Sequence, residues 1–157
     1  MASVNDVAAA ILERTDTIDT WKLQKLVYYC QAWHLVWDEE PLFPDRIEAW
    51  ADGPVCRTLY DTHKGSFTVS RWAEGDPARL VDNAVETIDI VVAAYGRLSG
   101  RQLSRLTHSE APWRDARGNL GPGVRSNREI TQDAMAEYYG ALDSDPDAEV
   151  VEALEAE

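Results

Sequence analysis

Residues 20–37, TWKLQKLVYYCQAWHLVW, decide the fold of this chain. Apolar and aromatic residues recur in this stretch every three or four positions, which is the period of an amphipathic α-helix. Asp19 or Thr20 supplies the capping oxygen that such a helix needs at its start. Tyr28 and Tyr29 widen the apolar arc beyond that of a simple surface helix. The pattern therefore predicts a central helix.

Weaker periodic patterns predict further helices on both sides of this one. Their approximate bounds are 4–14, 54–64, 77–98, 101–107, 111–117 and 131–142. Gly53 and Pro54 predict a turn with proline at the first helical position, where its fixed φ is suitable and its missing N–H is not needed. Strand patterns are confined to short stretches near 47–51 and 67–69. We therefore expect a mainly α fold, a compact single-domain helical bundle with at most a small β-hairpin or short strands.

Length and charge define the broad class of protein. A chain of 157 residues suits one core, so we expect a single domain over residues 1–142, followed by an acidic C-terminal tail over residues 143–157. The 15 basic and 28 acidic side chains give a net charge of −13, which disfavours binding to nucleic acid and to anionic membrane surfaces. No apolar run reaches the roughly 18 residues of a membrane span, and the first ten residues lack a basic leader region, so we expect a cytoplasmic protein without a membrane partner.

Positive charge is concentrated in one part of the chain. Residues 97–128 contain seven arginines against only Glu110 and Asp115. Charge runs of this kind usually form a solvated surface. The alternative is a polar interface that selects an oppositely charged partner and orients it. The sequence leaves both interpretations open.

No residue pattern points to catalysis, a metal or a cofactor. The three histidines are too scattered for a metal site with characteristic spacing. Thr107, His108 and Ser109 are adjacent, and neighbours on a helix do not face each other, which argues against a pair of nucleophile and base. The glycine-rich residues 118–123 follow no strand and lack the lysine of a phosphate-binding loop. We expect a protein that is not an enzyme and needs no cofactor.

The cysteines and tryptophans are divided between core and surface positions. Cys30 and Cys56 have neither metal-type nor disulfide-scaffold spacing and are predicted to be reduced core thiols. Trp33 and Trp37 lie one helical turn apart in the apolar helix and are predicted to be core residues. Three further tryptophans at element edges or in loops are predicted to be partly exposed, where they would suit a protein interface; they are Trp21, Trp50 and Trp72.

Several stretches together resemble the Panacea domain of SocA-like antitoxins, which are often associated with phages or prophages. They are LQKLVYYCQAWHL at 23–35, PLF at 41–43, IEAWADGPV at 47–55 with LY at 59–60, and LS at 103–104 with TH at 107–108 and PW at 112–113. Their order and spacing match from about Thr20 to Tyr139. The resemblance implies a mainly helical antitoxin that is encoded beside a toxin and neutralises it by direct binding. It implies diverse protein toxins as partners, among them small alarmone-synthetase-like toxins.

Eight residues match family positions and are candidates for partner binding. They are Trp50, Asp52, Gly53, Pro54, Tyr60, His108, Pro112 and Trp113. The alternative is that most of them build the domain itself, with Gly53 and Pro54 forming a turn and Trp113 covering the core. The sequence alone does not separate these two roles.

Two other functions remain open at the level of sequence. The resemblance extends to a branch of the family that acts as a proteolytic adaptor and delivers its toxin to a Clp-type protease. A DNA-binding autorepressor that uses the arginine-rich residues 97–128 is the other alternative, which the overall acidity of the chain disfavours.

Overall fold

The fold is built around the long apolar helix that the sequence predicts. The computed structural model describes residues 2–145. Its helices are α1 (Val4–Glu13), α2 (Thr20–Trp37), α3 (Arg57–His63), α4 (Asp82–Tyr95), α5 (Gly100–Ser109), α6 (Ala111–Arg117) and α7 (Gln132–Asp143). A 3₁₀ turn covers Pro77–Arg79, and the strands are β1 (Ile18–Asp19), β2 (Ile47–Trp50), β3 (Gly53–Val55), β4 (Thr68–Val69) and β5 (Glu129–Ile130). The predicted mainly α fold with short strands is confirmed.

Helix α2 lies at the centre of the described domain, in contact with α1, α4, α5 and α7. Every residue from Leu23 to Leu35 is buried. Burial on all sides explains why apolar and aromatic side chains occupy most of its circumference instead of a single face. The side chain of Asp19 accepts a hydrogen bond from the backbone N–H of Lys22 at 2.7 Å and so caps the helix. The predicted central helix and its cap are both confirmed.

Two buried glutamines of α2 form hydrogen bonds to the backbone of the segments before and after the hairpin of β2 and β3. Gln31 accepts a hydrogen bond from the N–H of Leu42 at 2.7 Å and donates one to the carbonyl of Phe43 at 3.0 Å. Gln24 bonds in the same way to both backbone groups of Cys56, at 2.9 and 3.2 Å. Because a buried polar backbone group needs a partner, these side chains fix the path of the chain into and out of the hairpin of β2 and β3.

The strands form two small antiparallel sheets in the described part of the chain. One has three strands in the order β3-β2-β5, and the other pairs β1 with β4. In the hairpin, Trp50 lies opposite Gly53, so that Ala51 and Asp52 form its turn. Side chains two apart on a strand share a face, which places Ile47 and Ala49 toward the core and Glu48 and Trp50 on the other face.

The predicted turn and helix start at Gly53 and Pro54 are wrong. Both residues belong to β3, where Pro54 lies opposite Ala49, and α3 begins only at Arg57. The fixed φ of proline suits an extended backbone as well as a first helical turn, and the edge of a sheet tolerates its missing N–H. The Gly-Pro pattern alone does not distinguish these two uses of proline.

The second long helix is shorter than the predicted range of 77–98. The chain makes a 3₁₀ turn at Pro77–Arg79, passes through Leu80 and Val81 in extended conformation, and enters α4 at Asp82. The side chain of Asp76 caps the 3₁₀ turn and so makes it a separate element. Leu80 is buried while Val81 is 65% exposed, and this alternation belongs to extended chain rather than to a continuous helix.

Two of the predicted tryptophan environments are wrong. Trp37 stacks on buried Trp33 with ring centroids 5.3 Å apart but is 38% exposed, because α2 ends there. Trp72 is buried, and its indole N–H donates to Asn5 at 3.0 Å. Trp21 and Trp50 are half-buried as predicted.

The boundary between the domain and the acidic tail stays a prediction. Helix α7 ends at Asp143, and Leu142 packs against the core. Of the predicted tail over 143–157, residues 146–157 lie outside the described residues. Within residues 2–145, none of the helices combines the length and the apolar character needed to cross a membrane.

Candidate functional site

A surface groove of about 570 Å³ opens where the hairpin of β2 and β3 meets the first turns of α2 and α3. We call it the aromatic groove because two tryptophans and a tyrosine line it. Its lining residues are Trp21, Trp50, Ala51, Asp52, Arg57, Tyr60, Arg125, Ser126 and Asn127. These residues come from three separate parts of the chain, which only the tertiary fold brings together.

The three rings form a connected wall. Tyr60 meets Trp50 edge to face with centroids 4.8 Å apart, and the centroid of Trp21 lies 6.4 Å from that of Tyr60. Behind them, buried His63 contacts the rings of Trp21 and Tyr60 edge to face. Rings that pack on one another lose little further conformational freedom when a partner binds, so the wall is preorganised for contact.

The buried carboxylate of Glu48 fixes the orientation of Trp50. It accepts a hydrogen bond from the indole N–H of Trp50 at 2.8 Å. The same carboxylate pairs with Arg46 at 3.3 Å and with Arg57 at 3.6 Å. The guanidinium of Arg57 also lies over the ring of Trp50, 5.1 Å from its centroid. Ion pair and stacking together hold Arg57 at the border of the groove.

Arg117 explains why the loop over residues 118–128 reaches the groove. Its guanidinium is buried and donates hydrogen bonds to the carbonyls of Gly121 and Val124 at 3.1 and 2.7 Å, and to a carbonyl of β2 at 3.2 Å. The loop is thereby tied to the sheet, and Arg125 stands on the groove. The arginine-rich stretch is therefore not a uniform solvated face, since Arg117 is an internal structural residue.

His108 and Trp113 support the hairpin from behind. Their rings are stacked, with centroids 4.0 Å apart and planes 9° from parallel, and the indole N–H of Trp113 donates to the carbonyl of Trp50 at 2.8 Å. Burial lowers the pKa of His108, and its Nε2 finds no hydrogen-bond partner among residues 2–145. The stack holds the end of β2 in place below the groove.

Lys25 lies buried beneath the aromatic groove. Its ammonium is 5.9 Å from the centroid of Trp21 and donates to the carbonyl of the same residue at 3.5 Å. Burial lowers the pKa of Lys25 to about 8, an effect that the negative charges of Asp19 and Asp52 counteract. Gly53 has a φ of +135°, and a Cβ at this position would lie 3.1 Å from Cε of Lys25. The positive φ favours glycine at this position, and a side chain here would also crowd Lys25.

The structure brings only part of the eight predicted residues together. Trp50, Asp52 and Tyr60 line the groove directly. Gly53 and Pro54 are buried in β3 behind it, and His108 and Trp113 support it through the stack. Pro112 is buried at the start of α6 and borders a different cleft. The sequence patterns do not single out Arg57. They include Arg125 only as one arginine of residues 97–128, and Trp21 only as a partly exposed tryptophan.

The hydroxyls next to His108 are engaged with their own helix. Thr107 donates to the carbonyl of Ser104 at 2.9 Å, and Ser109 donates to that of Leu106 at 2.7 Å. Neither hydroxyl is therefore positioned as a nucleophile for the imidazole, in agreement with the spacing argument. Among residues 2–145, no three His, Cys, Asp or Glu side chains cluster so as to hold a metal ion.

The structure thus defines a mainly α protein with an arginine-bordered aromatic groove on a small hairpin. The family model for the SocA-like antitoxin with a Panacea domain matches residues 23–114, and the chain belongs to this family. The chain is 30% identical over 149 residues to Antitoxin SocA of Caulobacter vibrioides (strain NA1000 / CB15N), covering 81% of this chain and 79% of that protein. No solved structure matches the chain. The family supports an antitoxin role and with it a toxin as partner, and it suggests a role other than catalysis.

Proposed function

We propose that this protein is an antitoxin that neutralises a cognate protein toxin by direct binding, and that the aromatic groove is the surface of contact. The groove carries the proposal because it combines Trp21, Trp50, Tyr60 and Arg57 in one concave site. Tryptophan, tyrosine and arginine are the residue types that contribute most binding energy in protein interfaces. The packed rings and the ion pairs of Glu48 hold these side chains in place before the partner arrives.

The family provides the identity of the test partner. A family antitoxin is encoded beside its toxin, so the product of the adjacent gene is the protein to examine. Growth of cells that express this gene alone should be arrested, and coexpression of the wild-type chain should restore growth. The proposal fails if the adjacent gene is not toxic, or if it remains toxic in the presence of the antitoxin.

A blocking substitution tests the role of the groove with little effect on folding. Asn127 lines the groove, and the hydrogen bond it makes there, to Arg46 at 2.7 Å, uses its backbone carbonyl. Asn127→Trp should therefore fill the groove, preserve the melting temperature and abolish neutralisation. Trp50→Ala should also abolish it by removing one wall.

Trp37→Ala is the matched control for these variants. Trp37 is an exposed tryptophan at the opposite end of α2 from Trp21, about 24 Å along the helix at 1.5 Å per residue. It should neutralise the toxin as wild type does. Full neutralisation by both Asn127→Trp and Trp50→Ala, with both proteins present at wild-type levels, would remove the groove from the proposal.

The same assay separates direct binding from proteolytic delivery. Neutralisation by binding persists in a strain that lacks Clp protease activity, and the level of toxin stays constant. An adaptor, by contrast, loses its effect in that strain. Loss of protection there, together with loss of toxin only in the strain with intact protease, would contradict the proposed mechanism.

A further inference from the structure

The charge at the aromatic groove differs in sign from that of the whole molecule. Arg57 and Arg125 line it, and Arg46 stands beside Arg57 on the shared carboxylate of Glu48. One carboxylate serves two guanidiniums there, and Arg125 makes no ion pair with any of residues 2–145. Asp52 is the one acidic residue of the lining. Three arginines thus face two carboxylates on a protein of net charge −13.

A buried cation adds to this local field. The ammonium of Lys25 lies beneath the ring of Trp21. Lys25 is only 2% exposed, so water screens its charge weakly. Its hydrogen bond to the backbone carbonyl of Trp21 is 3.5 Å long, which is a long hydrogen bond for an ammonium group. Asp19 and Asp52 act on this ammonium electrostatically, but no carboxylate of residues 2–145 forms an ion pair with it. A negative group bound in the groove above Lys25 would therefore be attracted to this cation.

The dimensions of the groove limit the size of a bound segment and the number of charged groups that it can bring into the groove. The volume of about 570 Å³ accommodates a few side chains, and three aromatic rings are part of its wall. A polyanion such as nucleic acid would extend beyond the groove and meet the repulsion of the whole acidic molecule. A single carboxylate placed in the groove, by contrast, is dominated by charges within a Debye length of about 8 Å.

Building on the proposed function, we infer that the toxin segment that enters the groove has an acidic side chain next to a large apolar or aromatic one. The apolar side chain lies against Trp21, Trp50 and Tyr60. The carboxylate pairs with Arg57 and Arg125. Arg57 is suited to this because Trp50 and Glu48 hold its half-exposed guanidinium at the border of the groove, and a guanidinium can bind a carboxylate through two N–H donors.

Charge reversal tests the inference with the purified product of the adjacent gene as binding probe. Arg125→Glu should weaken binding by about tenfold or more, and the double variant Arg57→Glu/Arg125→Glu by about a hundredfold, with both effects reduced at high salt. Arg125→Glu is the decisive single variant, because Arg125 has no ion pair to lose within the described residues. Melting temperatures report on folding.

A matched double variant controls for the change in net charge. Arg71→Glu/Arg101→Glu makes the net charge more negative by the same four units, at exposed positions that do not line the groove. It should bind within about threefold of wild type, since neither side chain lines the groove and water and salt screen exposed charges. Equal losses for the two double variants would show that only the total charge matters and would overturn the inference.

A rescue experiment identifies the acidic partner. Each Asp and Glu of the toxin is changed singly to Lys, and one of these variants should bind Arg125→Glu better than it binds the wild-type antitoxin. Wild-type binding by Arg125→Glu would overturn the inference while leaving the proposed function intact. Failure of the wild-type antitoxin itself to bind or neutralise the toxin would instead overturn the proposed function.

Discussion

Glu110 is a buried carboxyl at the joint between α5 and α6, and its neighbours are tyrosines rather than cations. Its Oε1 accepts hydrogen bonds from the hydroxyls of Tyr29 and Tyr139, each at 2.7 Å. The hydroxyl of Tyr139 also lies 3.0 Å from that of Tyr28, which must be the donor of this second bond. Burial raises the pKa of Glu110 from 4.5 to about 7, although the two tyrosine bonds oppose this shift. The carboxyl therefore titrates in the folded protein near neutral pH.

Glu110→Gln tests the energetic consequence of this burial. The folded protein holds a proton on Glu110 that the unfolded chain releases above pH 4.5, so the contribution of this group to stability falls as pH rises from about 4.5 to 7. The shift corresponds to a loss on the order of 3 kcal/mol above pH 7. Glutamine keeps the oxygen that the tyrosines bond and carries no charge. We expect the variant to be more stable than wild type at pH 8 but not at pH 4, measured by urea denaturation.

Glu137→Gln is the control for that comparison, because Glu137 is exposed on α7. It removes the same formal charge without affecting the buried network. Its stability relative to wild type should change little between pH 4 and pH 8. A pH dependence of Glu110→Gln that parallels wild type would contradict the titration of Glu110 near neutrality.

Some residues of the candidate site can be predicted from the sequence, whereas others cannot because only the tertiary fold brings them to the groove. Trp50, Asp52 and Tyr60 lie close together in the sequence, so a single motif includes all three. Arg125 lies 75 positions after Trp50, and the hydrogen bonds of buried Arg117 bring its loop to the groove. No local pattern encodes such a contact, because it depends on how the elements pack.

Helix α2 begins at a side-chain cap provided by Asp19. Asp19→Ala removes the hydrogen bond to the N–H of Lys22 and should lower the free energy of unfolding by about 1 kcal/mol. Asp19→Asn should restore most of this loss, since asparagine caps as well as aspartate does. Asp16→Ala, at an exposed position just before β1, should have little effect. Chemical denaturation of the three variants measures the differences, and equal stability of Asp19→Ala and wild type would contradict the role of the cap.

The elements differ in how well their sequences predict them. The bounds of α2 are predicted correctly because a strong period and a capping residue agree there. The start of α4 is missed because the apolar spacing continues through Leu80 and Val81, where the chain is extended. Strand β5 has only two residues, Glu129 and Ile130, and pairing with β2 defines it. A short strand that is stabilised mainly by pairing with another strand has little recognisable sequence pattern of its own.

The described domain is stabilised by one hydrophobic core. Its two free thiols are buried, so their accessibility to a labelling reagent measures how this core opens. Cys30 lies in the middle of α2 and is fully buried, whereas Cys56 lies at the start of α3 and is 2% exposed. Burial raises the pKa of both thiols, that of Cys56 to about 11. Both are therefore poor nucleophiles in the native protein, in keeping with their predicted role as core thiols.

Thiol labelling should consequently separate local from global opening of the molecule. Because α2 contacts most other helices of the described domain, exposing Cys30 requires the core to come apart, and its labelling rate should rise with urea as steeply as global unfolding does. Cys56 is held by the side chain of Gln24 at the edge of the hairpin and should label faster, with a weaker dependence on urea. Mass spectrometry of the two peptides after timed alkylation gives both rates in one experiment. Rapid labelling of Cys30 without denaturant would show that α2 is not the last element to open, and the central role assigned to it would be wrong.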